Sequence, residues 1–148
     1  MELDKKFIED VIRSIIAEEQ AKAPAGEKRR LDPSGVISID PDTFTLDKFP
    51  FPIESDRVWL KDVLSLEESP RLGCGIMEMD QTGFEWTLTY DEVDYVIEGT
   101  LDILIDGRKV SAQAGQILFI PKNTRITFST PNKTRFMYVC YPANWSEA

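Results

Sequence analysis

The sequence of 148 residues contains no histidine. Imidazole is the commonest metal ligand in proteins and the commonest general acid or base in enzymes. We therefore expect no Zn, Fe or Mn site, because a tight transition-metal site depends on imidazole or thiolate ligands, whereas oxygen ligands alone suit Mg²⁺ or Ca²⁺.

Cysteine-rich frameworks and long apolar runs are also missing. The two cysteines, Cys74 and Cys140, lie far apart in apolar, strand-like stretches, so reduced buried thiols are expected rather than a disulfide. No apolar run approaches the ~20 residues that cross a bilayer, and charged residues interrupt the N-terminal segment where a signal peptide would have an apolar core. The sequence predicts a cytoplasmic protein with no membrane partner.

Basic residues are scarce. The chain has 17 Lys and Arg against 26 Asp and Glu, which gives a net charge of −9 at pH 7. Nucleic acids and anionic lipids select basic surfaces, so neither is expected as the main partner. The sequence also lacks the GxxxxGKS/T and GxGxxG loops that hold phosphates in common nucleotide-binding folds, so a nucleotide site would be of another kind.

A repeated apolar spacing predicts one amphipathic helix between Leu3 and Gln20. Its apolar residues recur every three or four positions, at Phe7, Ile8, Val11, Ile12, Ile15 and Ile16. Asp4 is the candidate N-cap. Residues 1–20 are thus predicted to be a helix, residues 21–35 a linker rich in charge, alanine and proline, and residues 36–148 the folded domain.

Short β-branched and aromatic runs separated by turn signals predict a mainly β domain after the linker. Such a pattern of short strands and turns is typical of an antiparallel barrel or sandwich. The clearest hairpin is Thr100 to Val110, where Asp106-Gly107 can supply the positive φ angles of a type I′ turn. Residues 56–68 are ambiguous between a strand and a helical turn, and we leave them unassigned.

Two segments of the β-rich region resemble the signature segments of the cupin family. Glu92 and Gly99 have the glutamate-to-glycine spacing of the first segment, and Gly115 and Pro121 have the spacing of the second. The resemblance implies a single cupin barrel, that is, a double-stranded β-helix or jelly roll, and a homodimer. Asn123 stands where the family has glycine, and asparagine tolerates a left-handed backbone better than most residues.

The histidine positions of the cupin motif are filled by other residues. Ile126 occupies the histidine position of the second segment. The histidine pair of the first segment falls on Glu85 and Thr87 or on Trp86 and Leu88, depending on the register. Carboxylate and hydroxyl oxygens are the only potential ligands left, which again argues against a transition-metal site.

The expected barrel mouth is rich in carboxylates and aromatic rings. Its members are Trp86, Tyr90, Asp91, Glu92, Asp94, Tyr95 and Glu98. Buried neighbouring carboxyls raise one another's pKa and can form an acid–base pair, so Glu92, Tyr90 and Glu98 are the catalytic candidates. Because strand alternation turns about half of such residues outward, Asp91 and Asp94 are expected in solvent. A pocket role and a solvated role are equally open for Glu92.

A more specific resemblance covers most of residues 36–145. The segments DRVWLKDV, SPRLGCGIMEMD, WTLTYDEVDYVIEGTLDI, AGQILFIPKNTRITF, TRFMYV and YPANW are similar to the EutQ family of ethanolamine-utilisation cupins. That resemblance implies a protein of the bacterial microcompartment for ethanolamine breakdown, in a family whose cupins lack the metal-binding histidines. It also implies acetate kinase activity, the reversible conversion of acetyl phosphate and ADP into acetate and ATP.

The resemblance implies a site for Mg²⁺ with ATP or ADP near the barrel mouth. Glu85 and Glu92 are the candidate Mg²⁺ ligands. The candidates for binding the nucleotide and its phosphates are Trp86, Tyr95, Lys122, Arg125 and Arg135. Phosphoryl transfer needs cationic charge and in-line positioning more than covalent help from the protein, which is why residues of these types are selected. The expected small-molecule partner is an anion.

The sequence leaves alternatives open for both the domain and the helix. The domain could be a non-catalytic cupin that assembles or recruits parts of the microcompartment, or a metal-free isomerase or lyase that uses Tyr90 or Tyr95 with a carboxylate. Residues 3–20 could dock on microcompartment shell or cargo proteins, or they could pack on the chain's own barrel or in a dimer interface.

Overall fold

The computed structural model describes residues 4–21 and 26–145, and within them the side chains outside residues 16–21. The chain divides into two compact units, Met1–Thr45 and Leu46–Ala148. No described helix is long and apolar enough to cross a membrane.

The first unit begins with helix α1, Lys5–Ala21, close to the predicted bounds. Asp4 caps the helix as expected, because its Oδ1 accepts a 3.2 Å hydrogen bond from the backbone N–H of Lys6. The apolar stripe is exposed, with Phe7 56% and Ile15 53% accessible. Helix α1 therefore presents an apolar face to solvent.

A two-stranded hairpin follows the helix in the first unit. Strand β1 (Lys28–Leu31) pairs antiparallel with β2 (Ile37–Asp40), and a 3₁₀ helix, Pro41–Thr43, comes next. Strand β1 therefore lies within residues 21–35, the segment predicted to be a linker. Backbone pairing with β2, rather than an apolar core, orders this charged strand, and composition gives no signal for such pairing.

The second unit contains two antiparallel sheets. Their strands are β3 (Asp47–Lys48), β4 (Val58–Asp62), β5 (Gly73–Asp80), β6 (Gly83–Leu88), β7 (Asp91–Glu98), β8 (Thr100–Ile105), β9 (Arg108–Gln113), β10 (Ile117–Ile120), β11 (Thr124–Ser129) and β12 (Lys133–Tyr141). The six-stranded sheet has the order β10-β7-β12-β5-β4-β3 and the four-stranded sheet the order β6-β11-β8-β9. This mainly β architecture is the predicted one.

Residues of both sheets form the hydrophobic core. Phe84 and Phe128, from the four-stranded sheet, have ring centroids 5.2 Å apart, and Phe128 stacks at 6.3 Å on Phe136 of the six-stranded sheet. Such aromatic pairs add ~0.5–1.5 kcal/mol beyond the area that they bury. These rings therefore join the two sheets across the interior.

Positive φ angles select the residues at several turns. Asp106 and Gly107 have φ angles of 49° and 75°, which confirms the type I′ hairpin. Asn123 has a φ of 66°, so asparagine does take the left-handed conformation in place of glycine. At Gly99 a φ of 73° combines with crowding, since a Cβ there would lie 1.8 Å from the carbonyl oxygen of Lys133.

The unassigned residues 56–68 contain strand β4. Val58 and Leu60 are buried, whereas Trp59 and Lys61 face the other side of the sheet. Two buried apolar residues are too few to distinguish a strand from a helical turn by periodicity. Pairing with β5 decides the conformation.

The cysteines lie on the neighbouring strands β5 and β12. Cys140 is paired with Gly73, and Cys74 with Val139, so the two thiols are out of register by one residue and face opposite sides of the sheet. Both are free, as predicted, but only Cys140 is buried, and Cys74 is half-buried. Burial raises the pKa of Cys140 to about 12, so this thiol stays protonated at neutral pH.

Candidate functional site

The barrel interior contains a small cavity, which we call the inner cavity, of about 20 Å³. Eight of its eleven lining side chains are aromatic. They are Phe49, Leu60, Met77, Phe84, Trp86, Tyr90, Glu92, Phe128, Phe136, Tyr138 and Trp145. This volume exceeds the ~10–15 Å³ that one water molecule needs, and it suits a group of one or two heavy atoms. The inner cavity can hold a small group and cannot hold a nucleotide.

Strand β7 places two carboxyls in the interior. Glu92, Asp94 and Val96 alternate inward along the strand, with Glu92 6% and Asp94 0% accessible. The expectation that Asp94 is solvated is therefore wrong: strand alternation from an inward Glu92 carries Asp94 inward as well. Asp91 is half-buried, and its Oδ1 accepts a 2.8 Å hydrogen bond from the backbone N–H of Lys122.

The two interior carboxyls have few partners. Glu92 Oε2 and both oxygens of Asp94 are buried, and the hydrogen-bond partner of each carboxyl is the other carboxyl. Burial raises the pKa of Glu92 to about 7. Burial, followed by the negative charge of Glu92, raises the pKa of Asp94 well above its usual range. At neutral pH Glu92 is thus partly ionised, and Asp94 holds its proton more tightly than a free aspartic acid does.

Two tyrosines complete the polar part of the interior. Tyr90 Oη accepts a 2.9 Å hydrogen bond from Trp86 Nε1, and Tyr138 Oη donates a 2.5 Å hydrogen bond to Asp62 Oδ1. Burial is the main reason that the pKa of each tyrosine is raised, and the Glu92 charge adds to it for Tyr90. Both phenols are neutral at physiological pH, so neither is a ready base.

A second depression, the outer cleft, has a volume of about 340 Å³. Its lining residues are Pro52, Ile53, Glu54, Glu85, Trp86, Thr87 and Arg125. Arg125 Nη2 donates to Glu85 Oε2 at 3.0 Å, and both side chains are mostly exposed. Trp86 lines the inner cavity and the outer cleft alike. The cleft combines one guanidinium, two carboxylates and one indole in a space that admits a polar ligand.

Comparison with known protein families relates this barrel to one of them. The family model described as "Ethanolamine utilisation protein EutQ" matches residues 2–147. The chain belongs to the EutQ family. The resemblance seen in the sequence is confirmed, and so is the cupin fold that it implied.

EutQ relatives agree with this assignment. A protein of Clostridioides difficile named "Acetate kinase EutQ" is 52% identical over 97% of this chain and 95% of its own length. A protein of Escherichia coli with the same name is 30% identical over 95% of this chain, which spans 63% of that longer relative. A Salmonella typhimurium protein, also of that name, is 42% identical, but the match covers 62% of this chain and 40% of the relative.

Solved EutQ structures have the same fold. The Clostridium difficile EutQ structure matches with a TM-score of 0.73 and 53% identity, covering 82% of this chain and 91% of that one. The Salmonella typhimurium structure described as a putative ethanolamine utilization protein Q matches with a TM-score of 0.72 and 35% identity, covering 80% and 95%. A Cupin_2 domain from Enterobacter cloacae, 15% identical with a TM-score of 0.51 over 57% of this chain and 96% of that one, shows the cupin fold alone.

The structure of this EutQ-family chain separates the residues predicted to share one site. Glu92, Tyr90 and Trp86 meet at the inner cavity, and Glu85, Arg125 and Trp86 meet at the outer cleft. Outside both depressions lie Tyr95, Glu98, Lys122 and Arg135. The roles predicted for these four residues gain no support from their positions.

Tyr95 and Arg135 lie on the outer face of the six-stranded sheet. Tyr95 is 40% accessible and belongs to an exposed apolar surface on β7 and β10, the outer sheet patch, formed by Val93, Tyr95, Ile97, Ile117 and Phe119. Arg135 Nη1 donates to Glu78 Oε1 at 2.6 Å in a partly buried ion pair. Strand alternation explains both placements, since Tyr95 follows the inward Asp94 and Arg135 precedes the inward Phe136.

The predicted Mg²⁺ pair, Glu85 and Glu92, is divided between the two depressions. Glu85 lies in the cleft and Glu92 in the cavity. Among the described residues no three His, Cys, Asp or Glu side chains converge as a metal site. Ile126, at the motif's histidine position, is buried in the core. Two carboxylates, Glu54 and Glu85, do share the cleft, and one or two carboxylates plus phosphate oxygens and water are a usual Mg²⁺ environment.

Several lining residues carry no signal in the sequence. Phe49 and Trp145 come from the two ends of the domain, far from the signature segments, and Glu54 lies in an irregular segment. No local pattern marks such residues, because only the fold brings them to the barrel. Asp94 could have been found, since it lies two residues after the family's inward glutamate on a strand.

Proposed function

We propose that the protein is an acetate kinase, which transfers a phosphoryl group between acetyl phosphate and ADP, and that the nucleotide phosphates bind in the outer cleft. The observation that carries the proposal is the grouping of Arg125, Glu85, Glu54 and Trp86 around one cleft of about 340 Å³. The name of the Clostridioides difficile relative supports the same activity. The inner cavity is too small for this role.

Arg125 is the residue that would bind phosphate. Its ion pair with Glu85 has side chains that are 75% and 65% accessible, and exposed pairs of this kind contribute ~0–1 kcal/mol. A phosphate group can therefore compete with Glu85 for the guanidinium, which presents several N–H donors in the planar arrangement that suits phosphate oxygens. Charge neutralisation and positioning are what phosphoryl transfer requires.

The carboxylates of Glu54 and Glu85 would hold Mg²⁺. When bound, Mg²⁺ neutralises phosphate charge. In the direction of ATP formation, the bond between phosphorus and the acyl oxygen of acetyl phosphate breaks, and acetate leaves with the electron pair. A terminal oxygen of the ADP β-phosphate forms the new bond to that phosphorus. Arg125 would hold the phosphate oxygens, and Trp86 offers an aromatic surface beside them.

The experiment uses the purified full-length chain from a host lacking acetate kinase, with ATP formation from acetyl phosphate and ADP as the readout. We expect Arg125→Ala to lower the rate about 100-fold, as loss of one transition-state donor does, with little change in stability. Arg108→Ala is the matched control, because Arg108 also forms an exposed pair, with Asp106 at 3.8 Å on the β8–β9 turn. No ATP from the wild-type chain would refute the activity, and full activity of Arg125→Ala would refute the site.

A location in the ethanolamine-utilisation microcompartment is the second part of the proposal. The observation that favours it is the exposed apolar face of helix α1, where docking on a shell or cargo protein would bury Phe7, Ile8, Val11, Ile12 and Ile15. The full-length chain carrying Phe7→Glu and Ile15→Glu should lose co-purification with microcompartments and keep its kinase rate. Arg13→Gln, on the opposite side of the helix, is the control; an unchanged distribution of the double variant would refute this role.

The outer sheet patch supports a homodimer. It is an exposed apolar surface on the edge strand β10 and its neighbour β7, with Phe119 62% accessible. Apolar surface of this kind marks interfaces. We expect light scattering to give a dimer for the wild type and a monomer for Phe119→Asp with Ile117→Asp. A monomeric wild-type chain would refute the dimer.

A further inference from the structure

The aromatic rings around the inner cavity form a box with an acidic residue in its wall. The indole of Trp86 lies 5.3 Å from Phe49 in an edge arrangement and 6.2 Å from Trp145, and Tyr90 lies 6.3 Å from Trp145, all between ring centroids. Ring faces carry negative electrostatic potential, so a box of rings attracts a cation.

Glu92 adds a localised negative charge to the aromatic box. It is the only carboxyl among the described lining residues, and no Lys or Arg is among them. Its Oε2 is buried, and the hydrogen-bond partner of the Glu92 side chain is the Asp94 carboxyl, which is another acid. A buried carboxylate that no cation neutralises is costly, typically by several kcal/mol. A ligand that supplies N–H donors and positive charge would remove that penalty.

We propose that the inner cavity binds a small primary ammonium ion, with the ammonium group on Glu92 and the aromatic rings around its alkyl part. The volume of about 20 Å³ limits the bound portion to a group such as methylammonium or the end of a slightly longer amine. A quaternary ammonium is too wide and offers no N–H for Glu92. A carboxylate or phosphate ligand would meet Glu92, with Asp94 beside it, and no compensating cation.

This site is independent of the kinase proposal. The nucleotide is assigned to the outer cleft, and the two depressions share only Trp86. Binding of an amine is measured without nucleotide or acetyl phosphate, so a negative kinase assay leaves the inference unaffected, and a failed binding experiment leaves the kinase proposal unaffected.

The experiment is calorimetric titration of the full-length protein with methylammonium and ethanolammonium chloride at constant ionic strength. We expect saturable binding of both and none of tetramethylammonium or acetate. Glu92→Gln keeps the side-chain shape and should raise the Kd about 10-fold or more, as loss of a charged hydrogen-bond partner does. Trp59→Phe is the control, because Trp59 lies outside the cavity, next to Lys48.

A second measurement keeps the test independent of how well Glu92→Gln folds. Methylammonium should raise the melting temperature of the wild type, and Trp86→Leu should remove that rise while Trp59→Phe keeps it. The inference is overturned if neither primary amine binds, if Glu92→Gln binds with the wild-type Kd, if the rise survives in Trp86→Leu, or if acetate binds more tightly than the amines.

Discussion

The hydroxyl of Tyr138 reaches Asp62 across the strand between them, and donates a hydrogen bond of 2.5 Å to Oδ1. The residue it crosses is Gly75, which is paired with Tyr138 on one side and with Asp62 on the other. A Cβ at Gly75 would lie 2.1 Å from the Tyr138 hydroxyl oxygen and 2.7 Å from the carbonyl oxygen of Lys61. Gly75 is therefore required for space.

Gly75→Ala should destabilise the fold, because the added methyl group displaces the Tyr138 ring and breaks its bond to Asp62. Overpacking of this kind costs ~1–3 kcal/mol, measurable as a lower urea midpoint. Gly107→Ala separates crowding from backbone strain, since Gly107 has a φ of 75° but nothing within 4 Å of its added Cβ. A Gly75→Ala midpoint equal to that of the wild type would contradict the crowding.

At position 123, substitution by glycine should leave the stability unchanged, whereas substitution by a β-branched residue should lower it. The Asn123 φ of 66° is left-handed, a conformation that costs a non-glycine residue ~1–2 kcal/mol. We expect Asn123→Gly to be near neutral and Asn123→Val to lower the free energy of unfolding by about that amount. Lys122→Val, at the exposed neighbouring position, should change little. Equal stabilities of Asn123→Val and Lys122→Val would show that the turn does not select its residue.

The interior carboxyls should make stability fall as pH rises. Burial raises the pKa of Glu92 from 4.5 to about 7, so between these values the folded state binds more protons than the unfolded state, and unfolding becomes easier with increasing pH. Asp94 shifts in the same direction. The facing groups Tyr90, Tyr138 and Cys140 have raised pKa values and stay neutral in this window.

The loss attributable to Glu92 between pH 4.5 and pH 8 is roughly 3 kcal/mol. Chemical denaturation across this range should show that Glu92→Gln with Asp94→Asn removes that decline relative to the wild type. Glu98→Gln, an exposed carboxyl on the same strand, should keep the decline. If the difference in unfolding free energy between the double variant and the wild type does not change with pH, the carboxyls are not buried as described.

Glu92→Gln should leave the kinase rate unchanged within about twofold, since Glu92 lies outside the outer cleft where phosphate is proposed to bind. This outcome differs from the role that the sequence suggested for Glu92 as a catalytic residue and Mg²⁺ ligand. Steady-state rates of Glu92→Gln and Arg125→Ala at saturating Mg²⁺ make the comparison. If Glu92→Gln lost most of the kinase rate while Arg125→Ala kept the wild-type rate, the reaction would have to be assigned to the inner cavity.

Local chemistry predicted much of the fold. The Asp106-Gly107 turn, the left-handed Asn123 and the helix beginning after Asp4 each follow from one or two residues and their backbone preferences. Strand β1 escaped prediction because backbone pairing with β2, the next strand of the hairpin, orders it, rather than its own charged composition. Asp94 was misassigned because its direction depends on the phase of strand β7.

By itself the sequence determined that this chain is a cupin of the EutQ family without histidine, since spacing and residue identity along the chain are sufficient for that. Only the tertiary structure decided which charged and aromatic residues meet. Glu92 and Glu85 are seven residues apart, yet one lies in the interior cavity and the other in the exposed cleft. Strand direction and cross-strand packing set which side of the barrel wall a side chain occupies, and these depend on residues distant in sequence.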